Sequence, residues 1–102
     1  MPSKVATIVS VKAGPGKREE VLALFKHHLA PRAASNSAQE VVVWVADATD
    51  PDTFHLFEVY TDAAAMEKNA RADWFAAYMA QAGPLLAGMP EVKLGEPRWM
   101  KA

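Results

Sequence analysis

Apolar and polar positions alternate along Val5-Ala-Thr-Ile-Val-Ser-Val11, a run rich in β-branched residues that ends at Lys12-Ala-Gly-Pro-Gly-Lys17, which predicts a strand closed by a turn. From Pro15 the period changes. Val21, Leu22, Leu24, Phe25, His28 and Leu29 recur at helical spacing, and Glu19 and Glu20 suit the positive end of a helix. Pro31 lacks the N–H that would continue the ladder, so this helix is expected to kink or stop there. The stretch Glu40 to Ala46 is apolar at nearly every position, the pattern of a strand covered on both faces. After the loop Asp47 to Asp52, residues Thr53 to Tyr60 read as a further strand. Phe54, Leu56, Glu58 and Tyr60 share one of its faces, and His55, Phe57 and Val59 the other. Thr61 or Asp62 is placed to cap a second helix from Ala63. A break near Ala72 follows, with Asp73 capping a fresh turn that carries Trp74, Phe75, Tyr78 and Met79. Glu91 to Met100 is expected to form the last strand, with Pro97 marking an edge or a bulge.

The order is strand, helix, strand, twice over, which is the ferredoxin-like βαββαβ plan of the α+β class: a four-stranded antiparallel sheet with its helices on one face. The face without helices would carry Val, Trp or Phe. An apolar face of that size favours a homodimer packed sheet against sheet, a dimeric α/β barrel assembly. A monomer with a greasy surface is the plainer alternative.

The chain has 102 residues, 51% hydrophobic and 23% charged, and is expected to fold as one domain over residues 1–102. A domain of this size buries roughly two-thirds of its unfolded surface, enough for a core without staples. A formal charge of -1 and a pI near 6.3 remove the electrostatic basis for binding nucleic acid or an anionic membrane. With no cysteine there is no disulfide, thiolate metal site or nucleophilic thiol. No apolar run approaches a bilayer span and no secretory leader is recognisable, so a cytoplasmic protein is expected.

Gly14-Pro15-Gly16-Lys17 lacks the glycine spacing and Lys-Ser/Thr pair of a phosphate loop, and reads as a tight turn. His27 and His28 point about 100° apart on a helix and cannot share one metal, so no metal site is expected. His28 lies on the face of Leu24 and Phe25, either as a histidine at the packing rim or as a catalytic one. Asn69, Trp74 and Tyr78 flank the helix break, where an amide, an indole and a phenol would line a pocket or serve as core aromatics and a helix terminator. Glu58 on an apolar strand face needs a partner, and Arg98 is the expected one.

Positions 11 to 21 (Val-Lys-Ala-Gly-Pro-Gly-Lys-Arg-Glu-Glu-Val) and 50 to 67 (Asp-Pro-Asp-Thr-Phe-His-Leu-Phe-Glu-Val-Tyr-Thr-Asp-Ala-Ala-Ala-Met-Glu) resemble the turn into helix one and the third strand of the antibiotic biosynthesis monooxygenase family, small dimeric ferredoxin-like proteins. Asn69 and Trp74 fill places where that family typically carries histidines. The resemblance implies oxidation of a small quinol- or anthrone-like aromatic by molecular oxygen, with no metal, flavin or other cofactor. Trp74, Tyr78 and Asn69 would then donate to a substrate anion, and His28 or His55 would take its proton. A non-catalytic dimeric small-molecule-binding or stress-associated protein is the competing reading, and an isomerase or lyase a third.

Overall fold

The computed structural model describes residues 3–101. Strand β1 (Val5–Lys12) leads into helix α1 (Arg18–His28) and the short helix α2 (Ala30–Ser35). Strands β2 (Gln39–Ala46) and β3 (Thr53–Tyr60) follow, then α3 (Ala63–Ala70), α4 (Asp73–Ala82) and β4 (Glu91–Gly95). The strands form one antiparallel sheet in the order β2-β3-β1-β4, the ferredoxin-like arrangement of the α+β class. Among the described residues no helix is long and apolar enough to cross a membrane.

Local chemistry explains where the elements begin and end. Gly16 takes φ 74°, a left-handed conformation open to glycine without steric cost, and reverses the chain so that α1 starts at Arg18 rather than Pro15. Pro31 sits in the first turn of α2, where its missing N–H is no loss, while α1 stops at His28. The Asp62 carboxylate accepts from the Ala65 N–H at 2.8 Å and caps α3. Asp73 does not cap α4. Ala72 holds that position without a side-chain bond, and Asp73 lies inside the first turn, where its charge meets the positive end of the helix.

Strand β4 is half the length expected from the alternation. Its ladder with β1 ends at the Ala6–Gly95 pair, and Pro97, with no N–H to donate, lies beyond it. The chain after the strand folds back so that Pro97, Trp99 and Met100 lie beside Ala6, Ile8 and Phe57 on the face without helices.

Val11, Ala13, Val21 and Phe54 form one buried cluster, and Phe25, Tyr78 and Ala82 another. Trp44 packs against both and stacks on Phe54 with ring centroids 4.4 Å apart. Trp44 therefore belongs to the helix-covered face. The opposite face is open: Ile8, Val43, Val45 and Phe57 are 38–48% exposed. β2 is an edge strand, and within the single chain the second face of its unbroken apolar run is open.

Candidate functional site

Alternation along β3 sends Phe54, Leu56, Glu58 and Tyr60 toward the helices, so the strand delivers one carboxylate and one phenol into apolar surroundings. A cavity of about 550 Å³ lies between this face and the helices. Its walls include Val9, Val42 and Leu56 from the sheet, Phe25 and Leu29 around α1, and Trp74, Phe75 and Met79 from α4. Val92 and Leu94 of β4 complete the lining and stay more than half exposed, so the cavity opens on that side.

The polar groups gather around Glu58. Register places Thr7 directly across from it on β1, and the buried Thr7 Oγ1 donates to Glu58 Oε1 at 2.8 Å. On the other side, a bulge in β2 inserts an extra residue between the Gln39–Tyr60 and Val41–Val59 pairs. Unbroken alternation would aim Glu40 at this face. The bulge turns Gln39 there instead, and its Nε2 donates to Glu58 Oε2 at 2.6 Å. Tyr60, two residues along β3 on the same face, donates its O–H to the same oxygen at 3.0 Å. Burial, followed by the Glu58 charge, pushes the Tyr60 phenol far above its ordinary range, which keeps it a donor.

Asn69, at the end of α3, extends this network. Its Nδ2 donates to Gln39 Oε1 at 3.2 Å and, at a longer 3.4 Å, to Tyr60 Oη, while its Oδ1 accepts from Asn36 Nδ2 at 3.4 Å. Each donor in the series Asn36, Asn69, Gln39 points toward the carboxylate. Among the described residues no Lys, Arg or His forms an ion pair with Glu58, so its charge is met by neutral donors alone. Arg98 is exposed, lies after β4 and makes no pair with Glu58, because the strand that was to carry it ends at Gly95.

The structure brings Asn69, Trp74 and Tyr78 to the wall of this one cavity. Burial raises the Tyr78 phenol, so it too stays protonated. The Arg32 guanidinium lies 5.7 Å from the centre of the Trp74 ring, a cation–π contact beside the cavity. His28 is not brought in: it is half-buried on α1, its ring 6.3 Å from that of Tyr78, and it does not line the cavity. His55 is on the opposite face of the sheet. Its Nε2–H donates to Asp47 Oδ1 at 2.8 Å, and in the neutral ring Nδ1 accepts from Ser10 Oγ at 3.0 Å.

Glu58, Gln39, Tyr60 and Thr7 are thus site residues that the sequence analysis did not single out for chemistry. For Glu58 and Tyr60 a signal was present, since a carboxylate and a phenol two apart on a covered strand face must meet something. For Gln39 the signal lay in the bulge, which leaves no mark in the hydrophobic pattern. Among the described residues no group of three His, Cys, Asp or Glu side chains could hold a metal ion.

The comparisons with known proteins accord with this architecture. Among curated proteins no sequence matches the chain. A protein from Caulobacter crescentus CB15, described as a proposed antibiotic biosynthesis monooxygenase, superposes with TM-score 0.87 at 22% identity, over 94% of this chain and 91% of that one. A Nitrosomonas europaea protein described in the same way gives TM-score 0.89 at 13% identity, over 100% and 97% of the two chains. A second Nitrosomonas europaea protein, of unknown function, gives 0.81 at 26% identity over 98% and 94%. Residues 5–81 match the family model for antibiotic biosynthesis monooxygenase, which spans the sheet-and-helix frame around the cavity up to the end of α4, and the chain belongs to that family.

Proposed function

We propose that the chain is a cofactor-independent monooxygenase that oxidises a small quinol- or anthrone-like aromatic with molecular oxygen. The observation that carries this reading is the cavity: its volume of about 550 Å³ suits a small multi-ring aromatic, and its walls are mostly apolar, with a polar cluster where Glu58, Tyr60, Gln39 and Asn69 meet. Ground-state oxygen is a triplet and reacts slowly with a closed-shell molecule until that molecule is made electron-rich by losing a proton. A largely apolar cavity with a few fixed donors favours such an anion by replacing mobile water with oriented dipoles. The Trp74 N–H and the Tyr78 O–H are the donors assigned to it, and the Asn69 amide would join them by giving up its long 3.4 Å bond to Tyr60.

For an anthrone the overall change is insertion of one oxygen atom. The CH2 between the rings becomes C=O, the second oxygen atom leaves as water, and the substrate supplies all four electrons. Neither histidine considered for the proton lines the cavity, which weighs against His28 and His55 as the group that takes it.

A second copy of the chain is the proposed partner, packed through the open sheet face on which Ile8, Val43, Val45 and Phe57 are exposed. The family membership and the apolar composition of that face support it.

The test is oxygen consumption with a panel of anthrones and hydroquinones, with a metal chelator present throughout. The expected outcome is one oxygen consumed per anthrone, with the anthraquinone as product. Tight binding of panel members without oxygen uptake would replace the enzyme by a small-molecule-binding protein on the same fold.

A further inference from the structure

The oxygenase reading leaves one role vacant, that of the group which takes the substrate proton, and the geometry points to Glu58. Resting on that reading of the cavity, we propose that Glu58 is the catalytic base and that the bulge at Gln39 is the device that positions it.

Three observations converge. Among the cavity-lining acids, Glu58 is held on the sheet by three donors, whereas Glu67 lies on the exposed side of α3. All three donors are neutral, from Thr7, Gln39 and Tyr60, so they orient the carboxylate without the cancelling charge of an ion pair. Finally, the donors leave acceptor capacity. A carboxylate offers about four lone-pair sites, and Oε2 receives two bonds while Oε1 receives one, from Thr7. The free site on Oε1 is where an acidic C–H or O–H of a cavity ligand would point.

Written for an anthrone, Glu58 accepts one methylene proton and leaves the carbanion of the conjugated enolate. Oxygen adds to that carbon by successive one-electron transfer and radical recombination, giving a peroxide anion. The Glu58 carboxylic acid returns its proton to the terminal peroxide oxygen. The regenerated carboxylate then takes the second methylene proton as the C=O bond forms and the O–O bond breaks. Hydroxide departs and collects that proton as water, so Glu58 ends as it began and the atoms and electrons balance. Tyr60 and Gln39 act through Glu58 and are positioning residues.

The deciding experiment separates proton removal from oxygen chemistry. Under anaerobic conditions in D2O, anthrone is incubated with the protein and deuterium entry into its methylene group is followed by NMR, beside aerobic oxygen-uptake assays. Wild type is expected to accelerate exchange, and Glu58→Gln to lose about 10²-fold or more of that acceleration. Glu58→Asp keeps the charge but draws it back by one methylene, and is expected to fall between the two. It also covers the case in which the Gln variant fails to fold, near-UV circular dichroism being the check on both.

Exchange that wild type does not accelerate, or that both substitutions leave unchanged, overturns the assignment. Glu58-dependent exchange without oxygen uptake keeps Glu58 as a base and removes the oxygenase reading. Oxygen uptake that is unaffected in Glu58→Gln keeps the oxygenase and removes the base.

Discussion

The two faces of β3 each carry a polar constellation, and they are built differently. Toward the helices, the Glu58 carboxylate gathers donors from β1, β2 and its own strand, and keeps unused acceptor capacity beside an apolar cavity. Away from the helices, His55 is held at both ring nitrogens by Asp47 and Ser10. Asp47 is in turn fixed by the backbone N–H groups of Thr49 and Asp50 and the Thr49 hydroxyl. The Arg18 guanidinium fastens the same loop by donating to the Asp50 and Thr53 carbonyls at 2.9 and 3.1 Å. One group keeps acceptor capacity beside a cavity, and the other has its bonding used up in holding the β2–β3 loop to the sheet. Proximity of titratable side chains is therefore a poor guide to chemistry by itself. Unused bonding capacity beside a cavity separates the two cases.

The faces should differ most in what a large-to-small change costs. Phe54 is 3% exposed and stacked on Trp44, so Phe54→Ala removes a ring from a packed cluster and is expected to cost about 3–5 kcal/mol in urea denaturation. Phe57 on the open face is 38% exposed in the single chain, and Phe57→Ala is expected to cost about 1 kcal/mol or less in a dilute monomer. If a second copy covers this face, the Phe57→Ala loss grows with protein concentration, and Phe57→Asp converts dimer to monomer in sedimentation velocity without changing near-UV circular dichroism. A wild-type protein that sediments as a monomer at micromolar concentration would remove the second copy from the picture.

On the cavity side, Trp74→Phe keeps an aromatic ring, though a smaller one, and removes the N–H donor, so the fold should hold while anthrone turnover falls by about 10²-fold. Unchanged kinetics would place Trp74 among the walls of the cavity and outside the chemistry.

Much of this frame was legible in the sequence, because the signals that set it are local. Period-two alternation named both faces of β3, the helical spacing of Val21 to Leu29 named α1, and Thr61 or Asp62 marked the start of α3, where Asp62 is the cap. What escaped depended on pairing between distant segments. The β2 register shift decides that Gln39 rather than Glu40 faces Tyr60, and no property of either residue encodes that choice. The length of β4 depends on how much of β1 remains to pair, so alternation of Val92, Leu94 and Met100 overran the ladder and carried Arg98 into a partnership it does not make. Asn69, Trp74 and Tyr78 were legible as a group because they flank a helix break. For His28, a helix face shared with Leu24 and Phe25 says that a residue is near the core, not which side of a cavity wall it occupies, and the structure leaves it off the lining.

The smallest of the expected effects is the one that separates the two polar groups most directly. The hydrogen bond from His55, followed by those from the Asp50 and Thr49 backbone, holds the Asp47 carboxyl well below the ordinary carboxylate range. A carboxyl depressed in the folded state binds its proton less readily there than in the unfolded chain. Its stabilising contribution is therefore complete above the unfolded value of about 3.9, and is lost as pH falls from there toward the folded value. Asp50, lowered by the Asp52 N–H and the Thr53 hydroxyl, acts in the same direction. The urea midpoint of wild type should thus decline between about pH 5 and pH 2. Asp47→Asn, whose amide oxygen still accepts from His55 Nε2, should flatten part of that decline. Because Asp47 takes no part in the cavity, the same variant should exchange the methylene protons of anthrone at the wild-type rate, where Glu58→Gln does not. Loss of exchange in Asp47→Asn would show that the two faces of β3 are coupled, and that the division between a loop-holding constellation and a proton-transferring one is wrong.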